Sequence, residues 1–496
     1  MGVRTGQQYL EDLDRHPREL WIDGERITTR VTEHPAFRNI AASVAHLYDL
    51  QHDPALRDEM TYPSPSTGQR VGLSFLIPRT KEDLVRRRRM MEHWAAYSGG
   101  FMGRTPDYLN SDLMALASAA PFFAQNDPRF AENIRRYYEY VRENDLCTTH
   151  TLIHPQANRS VSVGRQADPY LAARVVEKRA DGVVVRGARM LATLPLADEV
   201  LVFPSTVIRA TEEDRPYAFA FALPMSTPGV RLICRESFDY GRSHFDHPLG
   251  SRFEEMDCMV VFDDVLVPWD RVFLLEDGEL ANRLYTDTDA TVHMTHQVVV
   301  KNIAKAEFVL GVASLMVDTI GIEPFQHVQE KIAEIIMAVE TQRAFVVAAE
   351  AGARENRWGV MTPAWTPLNI ARNTFPRVYP RLVEILQQLG ASGLMAIPTA
   401  RDLAHPALRP EIDRYYQAAG APAAERIRLF RLAWDIALSA FGSRQVLYER
   451  FFFGDPVRMA SALYFSYDKS PMKERVRAFL DRTPIPEPAV EGGAAR

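Results

Sequence analysis

From about residue 146 to residue 275 the chain abandons helical patterning for short apolar runs separated by turn residues. This interruption constrains the fold more than any other feature of the sequence. Val175–Glu177 and Val183–Val185 flank Asp181-Gly182, a dipeptide suited to the left-handed turn of a tight hairpin. Further strands are expected at Glu199–Phe203, Tyr217–Leu223, Val230–Cys234 and Cys258–Phe262. Even spacing with Pro and Gly between the runs points to a small barrel or sandwich, not to alternating βαβ units.

The flanks read as helix. Residues 1–145 form a helical N-terminal domain in this reading, with helices expected over Lys81 to Trp94 and Asp112 to Phe123. The basic run Arg86–Arg89 is read as a solvated helix face, with a phosphate patch as the alternative. Residues 146–275 make the central β-barrel domain. Residues 276–482 return to helix: Val328, Ile332, Ile335, Ile336 and Val339 form one apolar stripe, and Ile427, Phe430, Trp434, Leu438 and Phe441 form another. Amphipathic helices of this length make a bundle. Residues 483–496 (TPIPEPAVEGGAAR) are expected to be a flexible tail.

Composition removes several function classes. The 496 residues are 46% hydrophobic and 25% charged, values of a folded globular chain. The net charge of −6 argues against nucleic acid as a partner. Three scattered cysteines, Cys147, Cys234 and Cys258, supply neither a disulfide framework nor a four-thiolate metal site. The opening MGVRTGQQYLEDLDRHPREL does not read as a secretory signal, and no run of about 18 apolar residues suggests a membrane span. A cytoplasmic protein with no membrane partner is expected.

Familiar cofactor motifs are absent: no GxGxxG, GxxxxGK[ST], HExxH or GxSxG occurs. Two histidine pairs, His150/His154 and His293/His296, have spacings that could serve a metal on a helix. Pro155 disfavours helix at His154, neither pair has a local acidic partner, and no metal is expected. Arg104 and Tyr108 are four residues apart, so on a helical turn both face one side. The spacing fits a phenolate or carboxylate site and a surface ion pair beside a half-buried tyrosine equally well. His150, within Cys147-Thr148-Thr149-His150-Thr151, is either a general acid/base or a structural imidazole.

Read together, the motifs identify a resemblance. They are HPAFRN (His34–Asn39), GRTPDY (Gly103–Tyr108), THTLIHPQANRS (Thr149–Ser160), GARMLAT (Gly187–Thr193), SRFEEMD (Ser251–Asp257), VLVPWDRV (Val265–Val272), SGLMAIP (Ser392–Pro398) and FGSRQVLYERFFFGDP (Phe441–Pro456). In this order, over about 450 residues, they resemble the oxygenase components of two-component, FADH2-dependent phenol hydroxylases of the 4-hydroxyphenylacetate 3-monooxygenase type.

The resemblance implies an α+β, mainly α fold like that of acyl-CoA dehydrogenases: N-terminal helical domain, central β-barrel, C-terminal four-helix bundle, assembled as a homotetramer. It implies reduced FAD as a diffusible co-substrate delivered by a separate NAD(P)H:flavin reductase, and O2 as oxidant. The implied reaction is ortho-hydroxylation of a para-substituted phenol, 4-hydroxyphenylacetate first, to a catechol through a flavin 4a-hydroperoxide, a step of aromatic hydrocarbon catabolism. By resemblance Arg104, Tyr108 and His150 surround the phenol oxygen and are catalytic. Thr193 meets the flavin ring. His150, Gln156, Ala157, Asn158, Arg159 and the loop Phe453, Gly454, Asp455 also contact the cofactor, and Ser205 and Thr206 receive the far end of the substrate. Two departures bear on this: NDPRF (Asn126–Phe130) reads as an insertion between Arg104 and His150, and Pro204 alters the specificity loop.

The alternatives are the same chemistry on a tyrosine derivative, coumarate or chlorophenol, or an acyl-CoA dehydrogenase-like flavoprotein. A 4-hydroxybutyryl-CoA dehydratase would need clustered cysteines that are missing here. A helical scaffold without chemistry would have little use for Arg104, Tyr108, His150 and Thr193.

Overall fold

The structure is a computed structural model that describes residues 2–191, 193–205, 208–483 and 485–486. Its contacts divide it into two compact units, residues 1–450 and 451–496.

The first unit begins with helices α1 (Gly6–Arg15) and α2 (Arg38–Leu50), between which lie strands β1 (Glu19–Ile22) and β2 (Glu25–Arg26). Helix α3 (Lys81–Ser98) starts at a capping box in which Thr80 and Asp83 exchange hydrogen bonds. It ends at Gly99, whose φ of +57° a side chain would strain. A Cβ at Gly99 would lie 2.6 Å from the Phe308 ring, so this turn packs directly against a long helix of the bundle. Helix α4 (Pro106–Ser118) follows, with proline at its first position. Every residue from Pro106 to Ala117 is buried, so α4 is a central strut and not a surface helix. Helix α5 (Pro128–Asn144) leads into the sheet.

The remaining strands of the main sheet are β3 (Thr148–Ile153), β4 (Arg174–Lys178), β5 (Gly182–Leu191), β6 (Glu199–Val202), β7 (Phe219–Pro224), β8 (Val230–Cys234), β9 (Cys258–Pro268) and β10 (Val272–Leu275). The Asp181-Gly182 hairpin forms where expected, pairing Lys178 with Val183. The ten strands run in the order β10-β7-β6-β3-β5-β9-β8-β1-β2, with β4 on β5. The expected barrel is therefore corrected: the sheet is open, since β10 and β2 do not pair among the described residues. The reason lies in the N-terminal segment. β1 adds in parallel to β8, placing Glu19 opposite Arg231, and leaves the two-residue, exposed, charged β2 as the outer edge. Short charged edges resist further pairing.

Beyond the sheet lie α6 (Gly278–Asp287), α7 (Ala290–Ile320), α8 (Gln326–Ala351), α9 (Trp365–Gly390), α10 (Ala423–Ala437) and α11 (Ala440–Phe451). Helices α7 and α9 pack on each other and both pack on α8 and on α10, and α7 also packs on α3 and α4. One core cluster joins Val292 and Val299 of α7, Val346 and Ala349 of α8, and Leu368 and Ala371 of α9. Two details differ from the periodicity reading. Ile336 is exposed, and the stripe from Ile427 to Phe441 is broken, since α10 stops at Ala437 before α11 begins. Arg87, expected on a solvated face, is 1% exposed and donates to Ser111 Oγ at 2.7 Å. The second unit carries helices α12 (Pro456–Ser466) and α13 (Ser470–Leu480). The tail beyond Pro486, with Pro484, lies outside the described residues.

Candidate active site

The segment Gly103-Arg104-Thr105 enters α4, and its conformation is set by what surrounds it. A Cβ on Gly103 would lie 2.2 Å from the Tyr448 hydroxyl, so only glycine lets the two segments approach. The Arg104 amide donates to Glu255 Oε1 at 2.7 Å. The Arg104 side chain is buried, with its guanidinium carbon 4.5 Å from the centre of the Tyr108 ring and 5.7 Å from that of Tyr448. Cation–π contacts shielded from water are worth about 2 kcal/mol. Burial opposes the charge, yet Tyr448, Tyr108 and Glu255 together hold the arginine pKa above its ordinary value. It is a permanent cation in an aromatic setting.

His150 lies on β3, where it pairs with Leu201 of β6. Its ring centre is 5.8 Å from that of Tyr108 and 6.3 Å from that of Phe203. Phe203 in turn stands 5.6 Å from Tyr285 of α6. Burial first, and the Arg104 charge second, push the His150 pKa well below 6.5. The imidazole is therefore neutral and able to accept a hydrogen bond at its unprotonated ring nitrogen. Burial raises the Tyr108 pKa against the opposing pull of Arg104, so its hydroxyl stays protonated.

Thr193 joins this group through the backbone. The Thr149 hydroxyl donates to the Thr193 carbonyl at 2.6 Å, tying the residue beside His150 to the turn after β5. The Thr193 hydroxyl is buried and has no hydrogen-bond partner among the described residues. A buried orphan hydroxyl costs roughly 1–3 kcal/mol. A ring nitrogen or carbonyl of a flavin is a partner of the right chemistry for it. Arg104, Tyr108, His150 and Thr193 are thus linked by a continuous chain of contacts, although His150 is 46 positions from Arg104 and Thr193 lies a further 43 along.

The other expected site residues are placed as follows. Ser205 is buried just beyond β6; Thr206 lies outside the described residues. Gln156, Ala157, Asn158 and Arg159 form an exposed loop after β3, in which Ser160 and Gln166 hydrogen-bond to Asn158. Phe453, Gly454 and Asp455 belong to the second unit, where Asp455 caps α12 by accepting from the Val457 amide. Asn126, from the expected insertion, exchanges two hydrogen bonds with the backbone of Leu275 on β10. His296 bonds Glu350 at 3.0 Å and His293 lies 3.3 Å from the Thr362 hydroxyl, so both histidines of that pair have partners inside the bundle.

Sequence reasoning missed several wall residues. Tyr448 and Glu255 sit inside motifs already noted, but nothing in one sequence places them against Arg104. Phe203 reads in the sequence as the end of a strand and the start of the specificity loop, not as a neighbour of His150, and Tyr285 gives no signal. Asp112, one helical turn beyond Tyr108, is fully buried with neither carboxylate oxygen hydrogen-bonded among the described residues. Burial pushes its pKa up to about 8.

Comparison with known proteins identifies this arrangement. Family models described as "4-hydroxyphenylacetate 3-hydroxylase N terminal" and "C terminal" match residues 5–274 and 281–481. The chain belongs to the 4-hydroxyphenylacetate 3-hydroxylase family. The 4-hydroxyphenylacetate 3-monooxygenase oxygenase component of Thermus thermophilus is 54% identical over 478 residues, 96% of this chain and 97% of that one. A crystal structure of such an oxygenase component complexed with FAD and 4-hydroxyphenylacetate superposes with a TM-score of 0.92 at 53% identity, covering 97% of this chain and 99% of the other. An archaeal 4-hydroxybutyryl-CoA dehydratase shares the fold alone, with a TM-score of 0.87 at 21% identity over 99% of this chain and 97% of that one. The expected order of N-terminal helices, central sheet and C-terminal helices is thus present, with an open sheet in place of the barrel.

Proposed function

We propose that this chain is the oxygenase of a two-component monooxygenase that hydroxylates 4-hydroxyphenylacetate ortho to its phenol oxygen, using reduced FAD and O2. The observation that carries the reading is the buried contact chain of Arg104, Tyr108, His150 and Thr193 within a fold superposable on an FAD- and phenol-bound oxygenase.

Thr193 would hold the flavin ring through its orphan hydroxyl, with His150 and the loop Gln156, Ala157, Asn158 and Arg159 along the cofactor. Phe453, Gly454 and Asp455 are assigned to the cofactor as well, and Ser205 and Thr206 to the far end of the phenol. Bound reduced FAD supplies the two electrons that divide O2 between the phenol ring and water. Arg104 stabilises negative charge developing on the phenol oxygen, which enriches the ring carbon ortho to it. Neutral His150 accepts a hydrogen bond from the phenol hydroxyl at a ring nitrogen, drawing its proton away as charge develops on the oxygen. Protonated Tyr108 donates its hydroxyl to the same oxygen and orients the ring. The surrounding aromatic side chains exclude water, so these charges act at full strength.

We assign the partners in the same reading: a separate NAD(P)H:flavin reductase, a homotetrameric assembly, and a cytoplasmic location. No described helix is long and apolar enough to cross a membrane, and the three cysteines are free and buried. The domain division into residues 1–145, 146–275, 276–482 and 483–496 is kept, with β1 and β2 as an N-terminal contribution to the central sheet. The test is turnover with reduced FAD on a phenol panel. Catechol from 4-hydroxyphenylacetate in preference to a tyrosine derivative, coumarate or chlorophenol supports the assignment. Preference for another phenol moves the substrate, and peroxide alone across the panel refutes the oxygenase.

A further inference from the structure

The motif Ser251–Asp257 has no part in the chemistry just described, yet one of its residues touches both halves of the site. Glu255 is 1% exposed. Its carboxylate accepts from the Arg104 amide at 2.7 Å, and the Gly103 amide also bonds to it. Its own main-chain carbonyl, together with that of Met256, accepts from the Leu194 amide, each at 3.1 Å. Leu194 directly follows Thr193. The two ends of that contact are strained: Leu194 has φ +67° and Met256 φ +56°, left-handed values that non-glycine residues rarely adopt. Buried backbone strain of this kind persists only where surrounding contacts enforce it, and it concentrates at functional sites. The far carboxylate oxygen faces Arg444 at 3.5 Å, and Arg444 is held independently by Asp257 at 2.6 Å.

We propose that Glu255 is a positioning residue that sets the distance between the phenol-binding and flavin-binding halves of the site, its side chain fixing Gly103-Arg104 and its main chain fixing Thr193-Leu194. The inference rests on the oxygenase reading for its kinetic consequence only. Two requirements are separable. Acceptance from the two amides needs an oxygen at the reach of a glutamate side chain; pairing with Arg444 needs charge. Glu255→Gln keeps the reach and removes the charge. Glu255→Asp keeps the charge and retracts the acceptor by one C–C bond, about 1.5 Å. A displacement near 1 Å can cost about 10²-fold in rate.

Two measurements on the full-length protein decide the matter. In hydrogen–deuterium exchange, Glu255→Asp should speed exchange of the Gly103–Tyr108 amides about tenfold or more, while Glu255→Gln stays near wild type. The Leu194 amide should stay protected in both variants, because its acceptors are main-chain carbonyls. In turnover with reduced FAD and 4-hydroxyphenylacetate, Glu255→Asp should lose about 10–100-fold in catechol formed per flavin oxidised, with peroxide in its place. Glu255→Gln should lose no more than about threefold. The reverse order in either assay, or equal behaviour of the two variants, overturns the proposal. A wild-type enzyme that makes no catechol refutes the oxygenase reading, and the exchange order then decides on Glu255 by itself.

Discussion

Replacing Arg104 by methionine isolates what its charge contributes. The two side chains are similar in length, and the Arg104 amide keeps its bond to Glu255, because that bond is made by the backbone. What disappears is the cation stacked 4.5 Å from the Tyr108 ring centre. Removing one charge-stabilising donor from an active site typically costs 10²–10³ in rate, about 2.7–4 kcal/mol. The charge matters most when the phenol oxygen becomes anionic, so the loss should fall on kcat for catechol and only weakly on KM for the phenol. His150 offers a control. Its pKa is depressed first by burial and only second by Arg104, so it should stay neutral near pH 7 in the variant. Stability should fall by about 2 kcal/mol from the lost cation–π contacts, so activity is compared at a temperature where the variant stays folded. The assay is the yield of catechol and of hydrogen peroxide per reduced FAD consumed, with Tm measured alongside. Wild-type coupling in a folded Arg104→Met protein would refute the assignment of Arg104 to the phenol oxygen.

Two further perturbations probe the buried groups. Asp112→Ala should raise Tm at pH 7: with a folded-state pKa of about 8 against 3.8 in the unfolded chain, the carboxyl destabilises the native state by at most about 4 kcal/mol there. That gain should shrink to nothing as the pH falls towards 4, and a gain independent of pH would contradict the cause assigned. His154, half-buried beside Arg189, has its pKa pushed down to about 2, by desolvation first and the Arg189 charge second. Its folded-state value lies below the unfolded one, so its contribution is present above pH 6.5 and is lost as the pH falls. His154→Gln should therefore gain on wild type by about 1.4 kcal/mol per pH unit below 6.5, roughly 2 kcal/mol at pH 5, read from denaturant midpoints at several pH values.

Much of the architecture was legible because it rests on local signals. The Asp181-Gly182 hairpin forms where the dipeptide places it. The helix expected from Lys81 on its composition forms and runs from Lys81 to Ser98. What escaped depends on partners far away in the chain. β1 is four residues between two helices, and it becomes a strand only because β8, more than 200 positions later, offers an edge. Its arrival leaves the sheet open. Arg87 reads as surface because it stands among charges, whereas Ser111 of α4 takes it inside. The meeting of Arg104, Tyr108, His150 and Thr193 was legible only through a family resemblance, since their individual spacings fit bland readings equally well. Tyr448, Glu255, Phe203 and Tyr285 complete the walls through packing that no local pattern encodes.

The most direct test of the whole account follows the oxygen atom. The protein is supplied with reduced FAD, 4-hydroxyphenylacetate and 18O2, and the product is analysed by mass spectrometry with fragment assignment. The account predicts a catechol carrying a single 18O on the carbon next to the original hydroxyl. Unlabelled catechol, label elsewhere on the ring, or labelled hydrogen peroxide as the sole product would contradict it.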